Sequence, residues 1–290
     1  PAELAELLDE VRPGTRIVTG PELRAPNRGA ALGVSDVGGY DIFVDGAYAR
    51  YLNRAAGRDP DRFVAFARIR RYGPLLDRLG ARYLVTGVPL RGGRTRFAAG
   101  FGDFEPRGRV GGLYLAEHRN PTPRALLVHA VERIDDEERA ARRLASAGFD
   151  PRERAIVSSA AGEIGDLGSP SPKDRAEIVR LEPNRVELAV RAQEAGLLVL
   201  SDNPHPGWSA EIDGRPAPIV RANLVMRAVR VPAGEHAVTM RYLPGAFVAG
   251  AVLSLAALAA LVFAALWVRR YTRRAPAAAS LGVSSNSSTT

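Results

Sequence analysis

Residues Phe247 to Val268 form an unbroken apolar run of 22 residues with no charge and no proline. As a helix rising about 1.5 Å per residue, the run reaches roughly 33 Å, enough to cross a hydrocarbon core of about 30 Å. Arg269, Arg270, Arg273 and Arg274 follow at once, and Trp267 and Tyr271 stand where an interfacial aromatic belt lies. The run therefore predicts a transmembrane helix. The fifteen residues before it carry one fixed positive charge, Arg241. Excess arginine on the C-terminal side predicts a cytoplasmic C-terminus and an extracytoplasmic location for residues 1–246.

The formal net charge of +8 comes half from those four arginines, leaving 36 basic against 32 acidic residues elsewhere. Arginines are scattered among acids and Lys173 is the single lysine, a pattern of solvated faces rather than a nucleic-acid stripe. With no cysteine in the chain, disulfides, thiol catalysis and cysteine-bound zinc are excluded. A hydrophobic content of 46% suits a chain that buries a core. The chain starts at Pro1 within an amphipathic pattern and shows no signal peptide, so upstream membrane helices of the same protein are expected to deliver the outer part.

Taken in order, Leu4, Leu7, Leu8 and Val11 predict a helix over 2–11. Short strands and helices then alternate: a strand at 16–19, helices over 46–56 and about 73–79, and strands at 82–86, 112–116 and 126–128. This predicts a small α/β extracytoplasmic domain over 1–130. Residues 131–175 read as a helix and a Gly/Ser/Pro-rich linker, with Asp135 as the helix cap and Glu138 as its capping-box partner. From Ala176 the pattern changes. Val186, Leu188 and Val190 alternate with Glu187, Ala189 and Arg191, Leu197–Leu200 is continuously apolar, and Asp213-Gly214 marks a tight hairpin. The expected architecture is an α+β N-terminal part, an antiparallel β-sandwich of jelly-roll type over 176–243, and one C-terminal transmembrane helix at 247–268. Residues 269–290 are expected to be a basic, disordered cytoplasmic tail.

Chemistry-bearing motifs are sparse. No phosphate-binding loop, nucleophile elbow or paired histidines occur, so no catalytic residue, metal site or cofactor is predicted. A hydrolase has no nucleophile–base pair to rest on. Two constellations stand out. Gly39-Tyr40-Asp41 joins an aromatic face to a carboxylate, either for sugar contact or as a packed tyrosine with a turn-capping aspartate. Asp202-Asn203-Pro204-His205-Pro206-Gly207-Trp208 is a polar loop ending in a tryptophan, which serves either as a carbohydrate platform or as core packing. Tyr40, Asp41 and Trp208 are the candidate substrate-binding residues.

In order and spacing, several motifs resemble the C-terminal extracytoplasmic part of the YfhO-like family of bacterial multi-spanning membrane proteins. They are Asn27 with Gly39-Tyr40-Asp41; Gly112-Leu113-Tyr114-Leu115 through Glu117 to Asn120-Pro121 and Pro123-Arg124-Ala125; and Pro206-Gly207-Trp208-Ser209-Ala210, Asp213-Gly214, Arg221-Ala222-Asn223 and Pro232-Ala233-Gly234-Glu235-His236. His118 departs from the asparagine usual near that position. The resemblance covers most of residues 14–270. It implies a relation to glycosyltransferases of the GT-C type, which move a sugar from a polyprenyl-phosphate carrier to a cell-envelope acceptor outside the cytoplasm. Catalytic acids in that architecture lie in loops near the first membrane helices, so this stretch alone is expected to be inactive and to position donor or acceptor. The expected partners are the lipid bilayer, the lipid-linked sugar or envelope polymer, and upstream helices. A non-enzymatic, membrane-anchored interaction or carbohydrate-binding module is the alternative.

Overall fold

A computed structural model describes residues 15–20, 23, 34–38, 45–62, 72–90 and 104–272. The helix expected over 2–11 lies outside the described residues. The first sheet begins with β1 (Arg16–Thr19), which pairs in parallel with β2 (Ser35–Asp36). Helix α1 (Gly46–Ala55) starts where the Asp45 carboxylate accepts the backbone N–H groups of Ala47 and Tyr48 at 3.0 and 3.1 Å. Its buried face carries Tyr51 and Leu52. Helix α2 (Pro74–Asp77) is one turn, with proline at its start, where a missing N–H costs nothing. Gly80 ends the segment at φ +74°, and a β-carbon there would stand 3.0 Å from the Thr122 carbonyl oxygen.

Strand β3 (Tyr83–Thr86) lies parallel to β1, and β5 (Leu113–His118) is antiparallel to β3. Strand β4 (Phe104–Val110) closes that edge, giving the order β2-β1-β3-β5-β4. The sequence reading passes over β4 because Pro106 and Gly108 break its alternation. An edge strand tolerates both, and its register shifts between these two residues.

Strands β6 (Ala125–Val128), β7 (Ala130–Arg133) and β8 (Arg154–Val157) flank helix α3 (Glu137–Ala145). The expected cap is displaced by one residue: Asp136, not Asp135, accepts the Arg139 N–H at 2.6 Å. Asp135 instead holds Ser159, through its N–H at 2.6 Å and its hydroxyl at 2.9 Å. Adjacent aspartates are equivalent as local caps, and the neighbouring chain decides which one serves. The Gly/Ser/Pro-rich stretch at 162–175 is also pinned. Ile164 is buried in the core, and the Asp174 carboxylate accepts the backbone N–H groups of Ser171 and Gln193 at 2.7 and 2.8 Å.

The rest is β-structure: β9 (Arg175–Glu182), β10 (Arg185–Ala192), β11 (Gly196–Leu200), β12 (Trp208–Ile212), β13 (Arg215–Ala217), β14 (Val220–Ala222), β15 (Met226–Val231) and β16 (Gly234–Tyr242). A second sheet runs β13-β12-β16-β10-β9 and is antiparallel throughout. Asp213 and Gly214 make its two-residue hairpin turn, both at positive φ, 51° and 78°. The third sheet runs β6-β11-β15-β14-β8-β7 and takes strands from both sides of residue 176, the expected start of the sandwich. Among the described residues the architecture is thus mixed α/β with three sheets, one of them curled into a half-barrel.

One core lies between the second and third sheets, with Val186, Leu188, Val190, Val238 and Met240 facing Leu198, Leu200, Val229 and Val231. The opposite face of the third sheet supplies Leu197, Val199, Met226 and Ala228 to a larger core with the helices and the first sheet. Strand β11 is therefore buried on both faces, which explains its unbroken apolar run.

The described residues up to Tyr242 form one compact unit, and those from Leu243 a second. The second contains helix α4 (Gly245–Thr272). Its stretch Gly245–Arg270 is long and apolar enough to cross a membrane, a little wider than the 247–268 read from the sequence. Large side chains such as Leu253, Phe263 and Leu266 are fully on its surface, at 71%, 72% and 59% exposure. Apolar all round and exposed along its length, it is a candidate membrane span.

Candidate binding site

At the end of β11 the chain leaves a doubly buried strand and must place polar groups inside the protein. Ser201 donates its N–H to the Arg124 carbonyl at 2.9 Å, and the Asp202 carbonyl accepts the Arg227 N–H at 2.9 Å. The Asp202 side chain, 13% exposed, then meets three guanidinium groups from three different strands or their approaches. Its Oδ1 accepts from Arg16 and, at 2.8 Å, from Arg124; its Oδ2 accepts from Arg227 at 3.3 Å. Arg16 also donates to the carbonyls of Leu79 at 2.6 Å and Ser201 at 2.7 Å, tying the first sheet and α2 to the end of β11.

Burial alone would raise the Asp202 carboxyl, but Arg16, Arg124 and Arg227 outweigh it and hold it at about 2. Burial pulls the Arg227 guanidinium down to about 10, with Asp202 opposing, so it stays charged at neutral pH. Burial also pushes the nearby Tyr48 hydroxyl up to about 12, and that hydroxyl donates to the Val37 carbonyl at 2.9 Å.

Arg227 is 2% exposed. Its Nη2 and backbone N–H are used by Asp202, whereas Nε and Nη1 have no hydrogen-bond partner among the described residues. The guanidinium carbon lies 3.6 Å from the centroid of the Trp208 ring. Trp208 opens β12 and pairs across the sheet with Tyr242, the last residue of β16. Their rings are 5.3 Å apart, tilted at 41°. The Tyr242 hydroxyl is 3.1 Å from His205 Nδ1. Trp208 is half-buried and also packs against the sandwich core.

Of the residues singled out from the sequence, Trp208 thus stands beside Arg227, whereas Tyr40 and Asp41 lie outside the described residues. Their described flanks end near the cluster. Asp36 accepts the Thr19 hydroxyl at 2.9 Å, Ser35 accepts from Arg124 at 3.4 Å, and the α1 cap Asp45 is hydrogen-bonded by Asn203. The sequence reading does not single out Arg16, Arg124 and Arg227 as a set. The available signal is Arg227 itself, which occupies an inward position in the apolar strand Met226–Val231. Among the described residues no group of three His, Asp or Glu side chains converges as a metal site.

A second feature lies on the outer face of the second sheet, where Arg175, Glu177, Val179, Glu187, Arg191 and Glu235 border a groove of about 630 Å³.

The matched region is the β-rich half and its junction with the apolar helix. Residues 171–254 match the family described as Bacterial membrane protein YfhO. The matched segment contains β9 to β16 and the first turns of α4, and so includes Asp202, Trp208 and Arg227 but not Arg16 or Arg124. No curated protein and no solved structure matches the chain. The match covers under a third of the chain, and it ends within the helix that is long and apolar enough to cross a membrane.

Proposed function

We propose that the chain is the extracytoplasmic region and a closing helix of a membrane glycosyltransferase that moves a sugar from a polyprenyl-phosphate carrier to a cell-envelope acceptor. In this reading residues 1–246 lie outside the cytoplasm and position donor or acceptor, with 176–243 as a jelly-roll-like sandwich and 269–290 as a cytoplasmic tail. One observation carries it. The Trp208–Tyr242–His205 group ends at Tyr242, and only Leu243 and Pro244 separate Tyr242 from the first residue of α4. Aromatic rings with polar edges stack on sugar faces and hydrogen-bond their hydroxyls, and here they are tethered within two residues of an apolar helix. Tyr40 and Asp41 are assigned to the same sugar.

The test uses the full chain in neutral detergent, with saturation-transfer NMR and a glycan array of envelope sugars. Binding that is lost when Tyr40, Asp41 and Trp208 are all alanine supports the reading. Absence of contact with every envelope sugar removes it.

The groove on the second sheet favours an alternative, a non-enzymatic interaction or carbohydrate-binding module. Val179, 69% exposed, lies at its border. Sugar binding abolished by Val179→Glu and untouched by Trp208→Ala selects this alternative.

A further inference from the structure

We infer that the end of the second sheet from which the chain enters α4, with Arg241 at its centre, is a contact surface for an anionic phospholipid headgroup. The inference rests on reading α4 as a membrane span. Chain connectivity sets the distance. The Tyr242 N–H is still held by the Asn184 carbonyl at 2.9 Å, and the Pro244 carbonyl already accepts the Phe247 N–H at 3.0 Å. Leu243 alone stands between the two hydrogen-bond patterns. Three Cα–Cα steps of about 3.8 Å put Gly245 at most about 11 Å from Tyr242. The polar layer of a bilayer is about 5–8 Å deep on each side of the hydrocarbon. Long side chains at the end of β16 therefore come within reach of the headgroups.

The chemistry along the chain follows the same order of depth. Arg241 is exposed, Tyr242 is an amphipathic ring, and Leu243 and Phe247 are apolar at 60% and 67% exposure. Charge selects the headgroup. Arg241 pairs directly with Arg185 of β10 and Ser209 of β12, so the three share the outer face of the sheet. Like charges directly opposite one another destabilise a sheet unless they are compensated. Glu187 compensates Arg185, and Glu182, opposite Arg185 on β9, is taken by Arg180. Glu211 stands one row farther from the strand end, opposite Thr239. Among the described residues the Arg241 guanidinium has neither an ion pair nor a hydrogen-bond partner. A headgroup phosphate supplies the missing acceptor. A zwitterionic lipid brings a cation with its phosphate, whereas an anionic lipid brings net negative charge, so the anionic lipid is the fit.

The chain has no cysteine, so Ser209→Cys gives a unique labelling site next to Arg241. The full chain with a fluorophore there is reconstituted in phosphatidylcholine vesicles. These carry a minor fraction of spin-labelled quencher lipid, either phosphatidylglycerol or phosphatidylcholine. Such quenching is short-ranged and reports on lipids beside the label. A label at Glu235→Cys, about 20 Å away at the other end of β16, is expected to escape it. The Ser209 label is expected to favour phosphatidylglycerol about fivefold, the equivalent of about 1 kcal/mol for one arginine at an anionic surface. Arg241→Gln is expected to remove most of that preference and Arg241→Lys to keep it. Equal quenching by both lipids, or an unchanged preference in Arg241→Gln, overturns the headgroup site. No quenching at Ser209 with strong quenching at Leu258→Cys, in the middle of α4, overturns the surface, keeps the span and assigns Arg241 to another acidic partner. No quenching at Leu258→Cys removes the span reading and the lipid contact with it.

Discussion

The Arg227 guanidinium carbon lies 3.6 Å from the centre of the Trp208 ring, joining a strand of the third sheet to a strand of the second. The contact sits at the edge of the sandwich core, so it combines cation–π attraction with apolar burial. Trp208→Ala is expected to destabilise the outer unit by about 2–4 kcal/mol, less than a fully buried tryptophan at the upper end of that range. Chemical unfolding of the detergent-solubilised chain, followed by circular dichroism, checks this. Trp208→Phe is expected to recover more than half of the loss.

Asp202 is the counter-ion of three guanidiniums, and its removal leaves buried positive charge without its partner. Asp202→Asn is expected to cost about 3–5 kcal/mol in the same assay, well above the change for exposed Asp150→Asn. Equal effects at the two positions would show that the cluster does not hold the unit together.

Acid sensitivity follows from the same carboxylate. Its folded value, about 2, lies below the ordinary 3.8. A depressed carboxyl contributes stability that is fully present above the unfolded value and lost as pH falls through the folded one. The contribution, on the order of 2 kcal/mol, should therefore vanish between about pH 4 and pH 2. Stability measured across that window should fall less steeply in Asp202→Asn than in the unmutated chain.

Gly80 tests the backbone. Its φ is +74°, a conformation that side-chain-bearing residues rarely adopt, and the Thr122 carbonyl oxygen would stand 3.0 Å from an added β-carbon, so the backbone there would have to give by a few tenths of an ångström. Gly80→Ala is expected to cost roughly 1–3 kcal/mol, against little change for Gly112→Ala, where nothing lies within 4 Å.

Orientation is tested by protease added outside intact cells, which should digest residues 1–246 and spare the tail. Replacing Arg269, Arg270, Arg273 and Arg274 together with glutamine should mix the two orientations. Complete protection of residues 1–246 in the unmutated protein would reverse the assignment.

Much of the fold is legible locally. Strict alternation over Val186–Arg191 makes β10, Asp213-Gly214 makes a two-residue hairpin, and the helix read over 46–56 is α1, because each depends on neighbours within a few residues. Strand β4 and the α3 cap are not, since Pro106 is tolerated only because β4 is an edge, and Asp135 is claimed by Ser159. For the site, Trp208 and the loop from Asp202 are visible as a polar stretch ending in an aromatic. The arginines are not, because in a sequence with scattered arginine nothing distinguishes Arg16, Arg124 and Arg227 from the surface ones.

The apolar run at 247–268 and its arginine stop are legible in the sequence itself, since length and hydropathy alone mark a candidate membrane span. So is the β-character of the segment from Arg175 to Tyr242, which rests on short-range alternation. Only the tertiary structure decides that residues 16, 124, 202 and 227 meet. They lie as much as 211 positions apart, between Arg16 and Arg227, and are brought together by the pairing of β11 with β6 and β15 and by the docking of β1 and α2 at their ends. A buried charge cluster is a property of which chain ends converge, and that is set by packing rather than by any local pattern.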